Sequence, residues 1–77
     1  MKILVKVYDK SKYEADAEIV HEQEYNNVLC WEVLSGKQFR VGVYDELDEN
    51  DEYLRLYFAD GTTSTFRNSH VDLFRIA

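Results

Sequence analysis

Apolar and polar residues alternate with a period of two over most of the chain, the spacing of a strand that buries one face. In residues 2–8, Ile3, Val5 and Val7 share one side while Lys2 and Lys6 take the other. Phe39, Val41 and Val43 against Arg40, Gly42 and Tyr44 repeat the arrangement, and so do Leu54, Leu56 and Phe58 against Tyr53, Arg55 and Tyr57. The pattern predicts a mainly antiparallel sheet.

Turn chemistry then chooses the register of the last hairpin. A two-residue Asp60-Gly61 loop would set Phe66 beside Arg55 and Arg67 beside Leu54, mixing the faces. A three-residue loop, Ala59-Asp60-Gly61, with Gly61 in the left-handed position of a G1 bulge, pairs Phe58 with Thr62 and Leu54 with Phe66. Leu54, Leu56, Phe58 and Phe66 then share an apolar face, and Tyr53, Arg55, Tyr57, Thr63, Thr65 and Arg67 share the other. A slip of one residue would move every side chain across the sheet, so the register that separates the faces is expected. The same grammar at Leu34-Ser35-Gly36 predicts a second tight hairpin, pairing Val33 with Lys37, Trp31 with Phe39 and Leu29 with Val41.

Residues 15–21 admit two readings. Ala15, Ala17, Ile19 and His21 alternate with Asp16, Glu18 and Val20 as in a strand, yet Ala, Glu and Gln are also good helix formers. The alternative is an α+β fold with a helix over roughly 15–34 that stops at Gly36. Asn26 and Asn27 would then sit inside that helix with nothing to cap, so the strand is preferred. Ser69-His70-Val71-Asp72 has the Ser-x-x-Asp form of a helix start and predicts a short C-terminal helical turn, with Ser69 as its cap and Val71 and Phe74 facing inward. The expected fold is one domain over residues 1–77, with about six short antiparallel strands in a bent sheet or small open barrel.

Composition narrows the class. Seventy-seven residues make one domain with a thin core. With 45% hydrophobic residues, six Tyr, four Phe and one Trp, the chain is too apolar for intrinsic disorder. Its one cysteine, Cys30, cannot form an internal disulfide, which points to a reducing compartment. Lys6 interrupts the first apolar run, so no export signal is expected, and no run approaches the ~20 apolar residues of a membrane-spanning helix. The expected address is the cytoplasm.

The formal charge of −6 is unevenly spread, with six Lys/Arg against seven Asp/Glu in residues 1–40 and three against eight in residues 41–77. Most of the surplus falls in residues 45–52, where Asp45, Glu46, Asp48, Glu49, Asp51 and Glu52 form an acidic surface, expected in an exposed loop. A field of this sign opposes binding to phosphate backbones, so direct nucleic-acid contact, including stacking of bases on Tyr53 and Tyr57, is not expected. It does fit a small acidic protein that occupies the basic groove of a DNA-binding protein.

Reactive chemistry is sparse. An EF-hand starting at Asp48 would need glycine where Tyr53 stands and glutamate where Ala59 stands, so that calcium motif fails. Cys30, His21 and His70 lie in no nucleophile motif, and Ser69, His70 and Asp72 are too close along one segment to act as a triad. The glycines at 36, 42 and 61 are isolated, which excludes a phosphate loop, and one cysteine with two distant histidines closes no zinc set. No catalytic residue, metal ligand or cofactor is expected. The Tyr/Arg face of the last hairpin, Tyr53, Arg55, Tyr57, Thr63, Thr65 and Arg67, remains as a binding candidate, because Tyr and Arg supply rigid area and bidentate hydrogen bonds at interfaces. These types also populate ordinary solvent-facing strands.

The stretch from Tyr53 through Ala59-Asp60-Gly61-Thr62 to Phe74, with Trp31-Glu32-Val33-Leu34-Ser35-Gly36 upstream, resembles small uncharacterised bacterial proteins, some carried by mobile elements. The resemblance covers about a third of the chain. It implies a bacterial cytoplasmic accessory protein and brings neither an activity nor site residues. The expected function is a non-enzymatic protein-interaction module, the alternative an acidic DNA-mimic inhibitor. A homodimer through an edge strand is also expected, since the chain has no proline to blunt its sheet edges.

Overall fold

A computed structural model describes residues 1–39 and 50–76. It is mainly β, with six strands in two antiparallel three-stranded sheets that do not close into a barrel. Strands β1 (Ile3–Tyr8), β2 (Ile19–Tyr25) and β6 (Val71–Arg75) form the first sheet in the order β2-β1-β6. Strands β3 (Val28–Ser35), β4 (Glu52–Phe58) and β5 (Thr63–Arg67) form the second in the order β3-β4-β5.

The period-two pattern builds the core. Ile3 and Val5 in β1 and Leu56 in β4 are fully buried, and Val28, Leu54 and Val71 complete one cluster drawn from both sheets. Tyr25 joins it across the gap, its ring 5.8 Å from that of Phe58 and 5.9 Å, edge-on, from that of Phe66. The outer face of the first sheet is a charge ladder in which Lys2 meets Glu24 at 3.6 Å and Lys6 meets Glu22 at 3.8 Å. Beside it, Tyr8 donates to Asp72 at 2.6 Å and Lys12 donates to the Val71 carbonyl at 2.9 Å, which ties the β1–β2 connection to the start of β6.

Residues 19–25 and 28–35 are strands, so the strand preferred for 15–21 holds only from Ile19, residues 15–18 belonging to the turn that precedes β2, and the helix considered for 15–34 does not form. Asn26 and Asn27 instead make the corner where the chain leaves one sheet for the other. Asn27 adopts a left-handed φ of 60°, which Asn tolerates better than most residues, and its carbonyl accepts from Ala59 N–H at 2.9 Å. Val28 also exchanges two backbone hydrogen bonds with Met1, at 2.8 and 3.0 Å, so the two sheets touch at this corner.

The last hairpin has the register that face separation demanded: Leu54 opposes Phe66, Tyr57 opposes Thr63, Phe58 N–H bonds to Thr62 O, and Gly61 has φ +88°. The turn expected at Leu34-Ser35-Gly36 does not occur. β3 runs on to Ser35 opposite Glu52, Gly36 is buried and donates to the Asp51 carbonyl at 2.8 Å, and residues 36–39 form a 3-10 turn. The physical reason lies in the partner. Leu56 and Leu54 of β4 offer Trp31 and Val33 the same apolar match that Phe39 and Val41 would have offered locally. The strand expected around Val41 and Val43 lies outside the described residues.

The C-terminal helical turn is a single 3-10 turn, Asn68–His70, that leads into β6. Ser69 does not cap it, since the hydroxyl lies 2.8 Å from His70 Nδ1. Val71 is buried as expected, but Phe74 is 44% exposed, because β6 is a strand and its alternation sends Phe74 to the outer face with Lys6 above its ring at 5.2 Å.

Candidate functional site

Pairing of β4 with both neighbours arranges the outer face of the second sheet as three rows. Leu34, Tyr53 and Arg67 form the first, Glu32, Arg55 and Thr65 the second, and Cys30, Tyr57 and Thr63 the third. All six residues expected on the polar face therefore share it. β3 adds Cys30, Glu32 and Leu34, which were missed because the local turn would have taken β3 away from β4; the alternation in residues 30–35 carried the signal for their orientation but none for their partner.

The side chains on this face are mutually engaged. Tyr57 donates its phenol proton to Glu32 Oε1 across the strands, and the Arg55 guanidinium sits 5.6 Å from the Tyr57 ring centroid. The bond to Glu32 raises the Tyr57 pKa above its ordinary value, with burial adding to the rise and Arg55 opposing it. Arg67 Nε lies 2.9 Å from Asp51 Oδ2. Thr63, Thr65 and Arg67 are exposed, while Arg55 and Tyr57 are half-buried. Tyr53 is corrected as a contact residue: it is only 4% exposed, so its ring contributes to the fold rather than to open surface.

The acidic window is divided. Asp45, Glu46, Asp48 and Glu49 lie outside the described residues. Asp51 faces Arg67 and also accepts from Glu52 N–H at 2.8 Å, so it is a local structural carboxylate, and Glu52 is exposed. The reactive side chains are scattered: Cys30 is a free, exposed thiol on the second sheet and His21 an exposed residue of β2 on the first. Among the described residues no group of three or more His, Cys, Asp and Glu side chains is placed to hold a metal ion, and no helix is long and apolar enough to cross a membrane.

Two open hollows flank this sheet. One, of about 430 Å³, lies at the inter-sheet corner between Asn26, Asn27 and the β4–β5 turn, where Asp60 accepts from Thr62 N–H at 2.9 Å and from its hydroxyl at 2.6 Å. Those bonds lower the Asp60 pKa, chiefly the one from the Thr62 hydroxyl. The other, of about 230 Å³, lies where Tyr13 and Ser69 approach Asp51 and Glu52. No protein family, curated protein or solved structure matches this chain.

Proposed function

We propose that the protein is a non-enzymatic protein-interaction module whose contact surface is the outer face of β3, β4 and β5. The observation that carries this reading is the Arg55–Tyr57–Glu32 stack, a planar cation and an aromatic ring held in one geometry beside exposed Thr63, Thr65 and Arg67. Side chains already fixed in place lose little conformational freedom on binding, and Tyr and Arg are the types that concentrate binding energy. A cytoplasmic setting belongs to the same proposal, supported by the free thiol of Cys30.

The test is capture of partners from a lysate of the source organism, at low and high salt, with the wild-type chain and with Arg55→Ala combined with Tyr57→Ala. The proposal expects one partner, retained at high salt by the wild type and lost by the double variant. Thr63→Glu with Thr65→Glu, both at exposed positions, asks the same question should the first pair unfold the chain. Retention by folded variants of both kinds removes this face as the site. Capture of a DNA-binding protein that weakens steeply with salt and is competed by duplex DNA would favour the acidic-inhibitor reading instead.

A further inference from the structure

Strand β3 holds three large apolar side chains in the open: Leu29 is 62% exposed, Trp31 40% and Val33 49%. Trp31 and Val33 stand opposite Leu56 and Leu54, which are 0% and 4% exposed, so the apolar face of the second sheet extends outward beyond the part that the first sheet covers. Along one edge β3 bonds to β4, and on the other Val28 bonds to Met1. From Leu29 to Leu34 that second edge has no strand partner among the described residues.

We infer that this edge joins two copies of the chain, β3 pairing antiparallel with β3 of the second copy about a two-fold axis at Trp31, to give one continuous six-stranded sheet. Faces, charge and apolar coverage together select that register. A symmetric antiparallel pairing keeps the apolar face of one copy beside that of the other only when the paired residue numbers add to an even sum. An axis at Glu32 sets two carboxylates directly opposite each other, which is destabilising. An axis at Val33 leaves Leu29 uncovered and sets Trp31 against Ser35, and an axis at Cys30 draws in Val28, whose outer edge Met1 already fills. With the axis at Trp31, the indole meets its own copy and Glu32 meets Cys30, while Leu29, at the bulge where the register of β3 on β4 shifts, comes beside Val33.

Charge supports the choice of strand. The chain has a formal charge of −6, yet β3 contains one ionisable carboxylate, Glu32, already accepting from Tyr57. Two copies therefore meet along a strand with a single charged side chain in its eight residues. The pairing is isologous and closes at two, which avoids the open-ended growth of a head-to-tail contact. It uses the edge and apolar side of the second sheet and adjoins the outer face only at Glu32 and Cys30, so Arg55, Thr63, Thr65 and Arg67 stay clear of it and its test is separate from that of the function proposed above.

Sedimentation velocity of the full chain at physiological salt, from about 5 to about 300 μM, suits the weak affinity of so short an interface. The expected result is a concentration-dependent monomer–dimer equilibrium, with the emission of the chain's single Trp shifting to the blue as the dimer forms. Leu29→Lys and Val33→Lys should each hold the protein monomeric across that range with thermal unfolding little changed. Glu32→Gln should leave the dissociation constant within about twofold, because in this register the two Glu32 side chains do not face each other. A wild-type chain monomeric throughout would overturn the inference, the strip then being covered by another part of the chain or by a different protein. A dimer that survives both lysine variants would overturn it too, and tightening of about tenfold in Glu32→Gln would move the axis to Glu32.

Discussion

The phenol of Tyr57 gives its proton to the carboxylate of Glu32, and that bond links the candidate face to pH. Ionising the phenol breaks the bond and sets two negative charges side by side, so the proton is held more tightly in the folded chain than in the unfolded one. Tyr8 stands in the same relation to Asp72. A raised folded-state pKa contributes stability that is fully present below the ordinary value of 10.0 and is lost as pH rises through the folded value. Stability should therefore fall above pH 10. In Glu32→Gln the Tyr57 share of that fall should shrink and its ionisation, followed by NMR of the ring, should move down towards 10.0. An unchanged Tyr57 titration would show that the bond to Glu32 does not govern it. Asp60 behaves with the opposite sign: its lowered pKa contributes stability present above the ordinary 3.8 and lost as pH falls through the folded value.

At the scale of the element, the β4–β5 hairpin is specified by its own turn. Gly61 has φ +88°, and nothing lies within 4 Å of the position a Cβ would take, so a side chain there meets backbone strain without a clash. Gly61→Ala should cost about 1–2 kcal/mol in urea unfolding, and Gly61→Asn less, because Asn tolerates the left-handed region. This hairpin was legible in the sequence because its glycine and its two apolar faces both demanded one register. Leu34-Ser35-Gly36 offered the same local grammar and failed, since β3 could satisfy its apolar residues equally well against β4, and periodicity names a face without naming a partner. The candidate face was legible to the same degree. The three residues that β3 lends it, and the burial of Tyr53, depend on contacts between segments distant in sequence.

At the scale of the molecule, one apolar cluster serves two sheets that, among the described residues, meet through few hydrogen bonds. At about 0.05–0.15 kcal/mol per residue the whole chain is stable by roughly 4–12 kcal/mol, too little for either three-stranded sheet to stand with its buried face in water. Ile3 and Val5 of β1 are fully buried together with Leu56 of β4 and Val28 of β3, so loosening one sheet opens the core of the other. Ile3→Val removes one methylene from the first sheet and should cost about 0.5–1.5 kcal/mol. The decisive point is where the loss is read. Trp31 belongs to the second sheet, so its fluorescence reports on β3 and β4, while hydrogen exchange at the amides of Val5 and Lys6 reports on β1. At low protein concentration, Ile3→Val should lower the urea midpoint seen by Trp31 and the protection of the β1 amides by the same free energy. If the Trp31 midpoint stays at the wild-type value while β1 exchange accelerates, the sheets unfold separately and the shared cluster does not couple them.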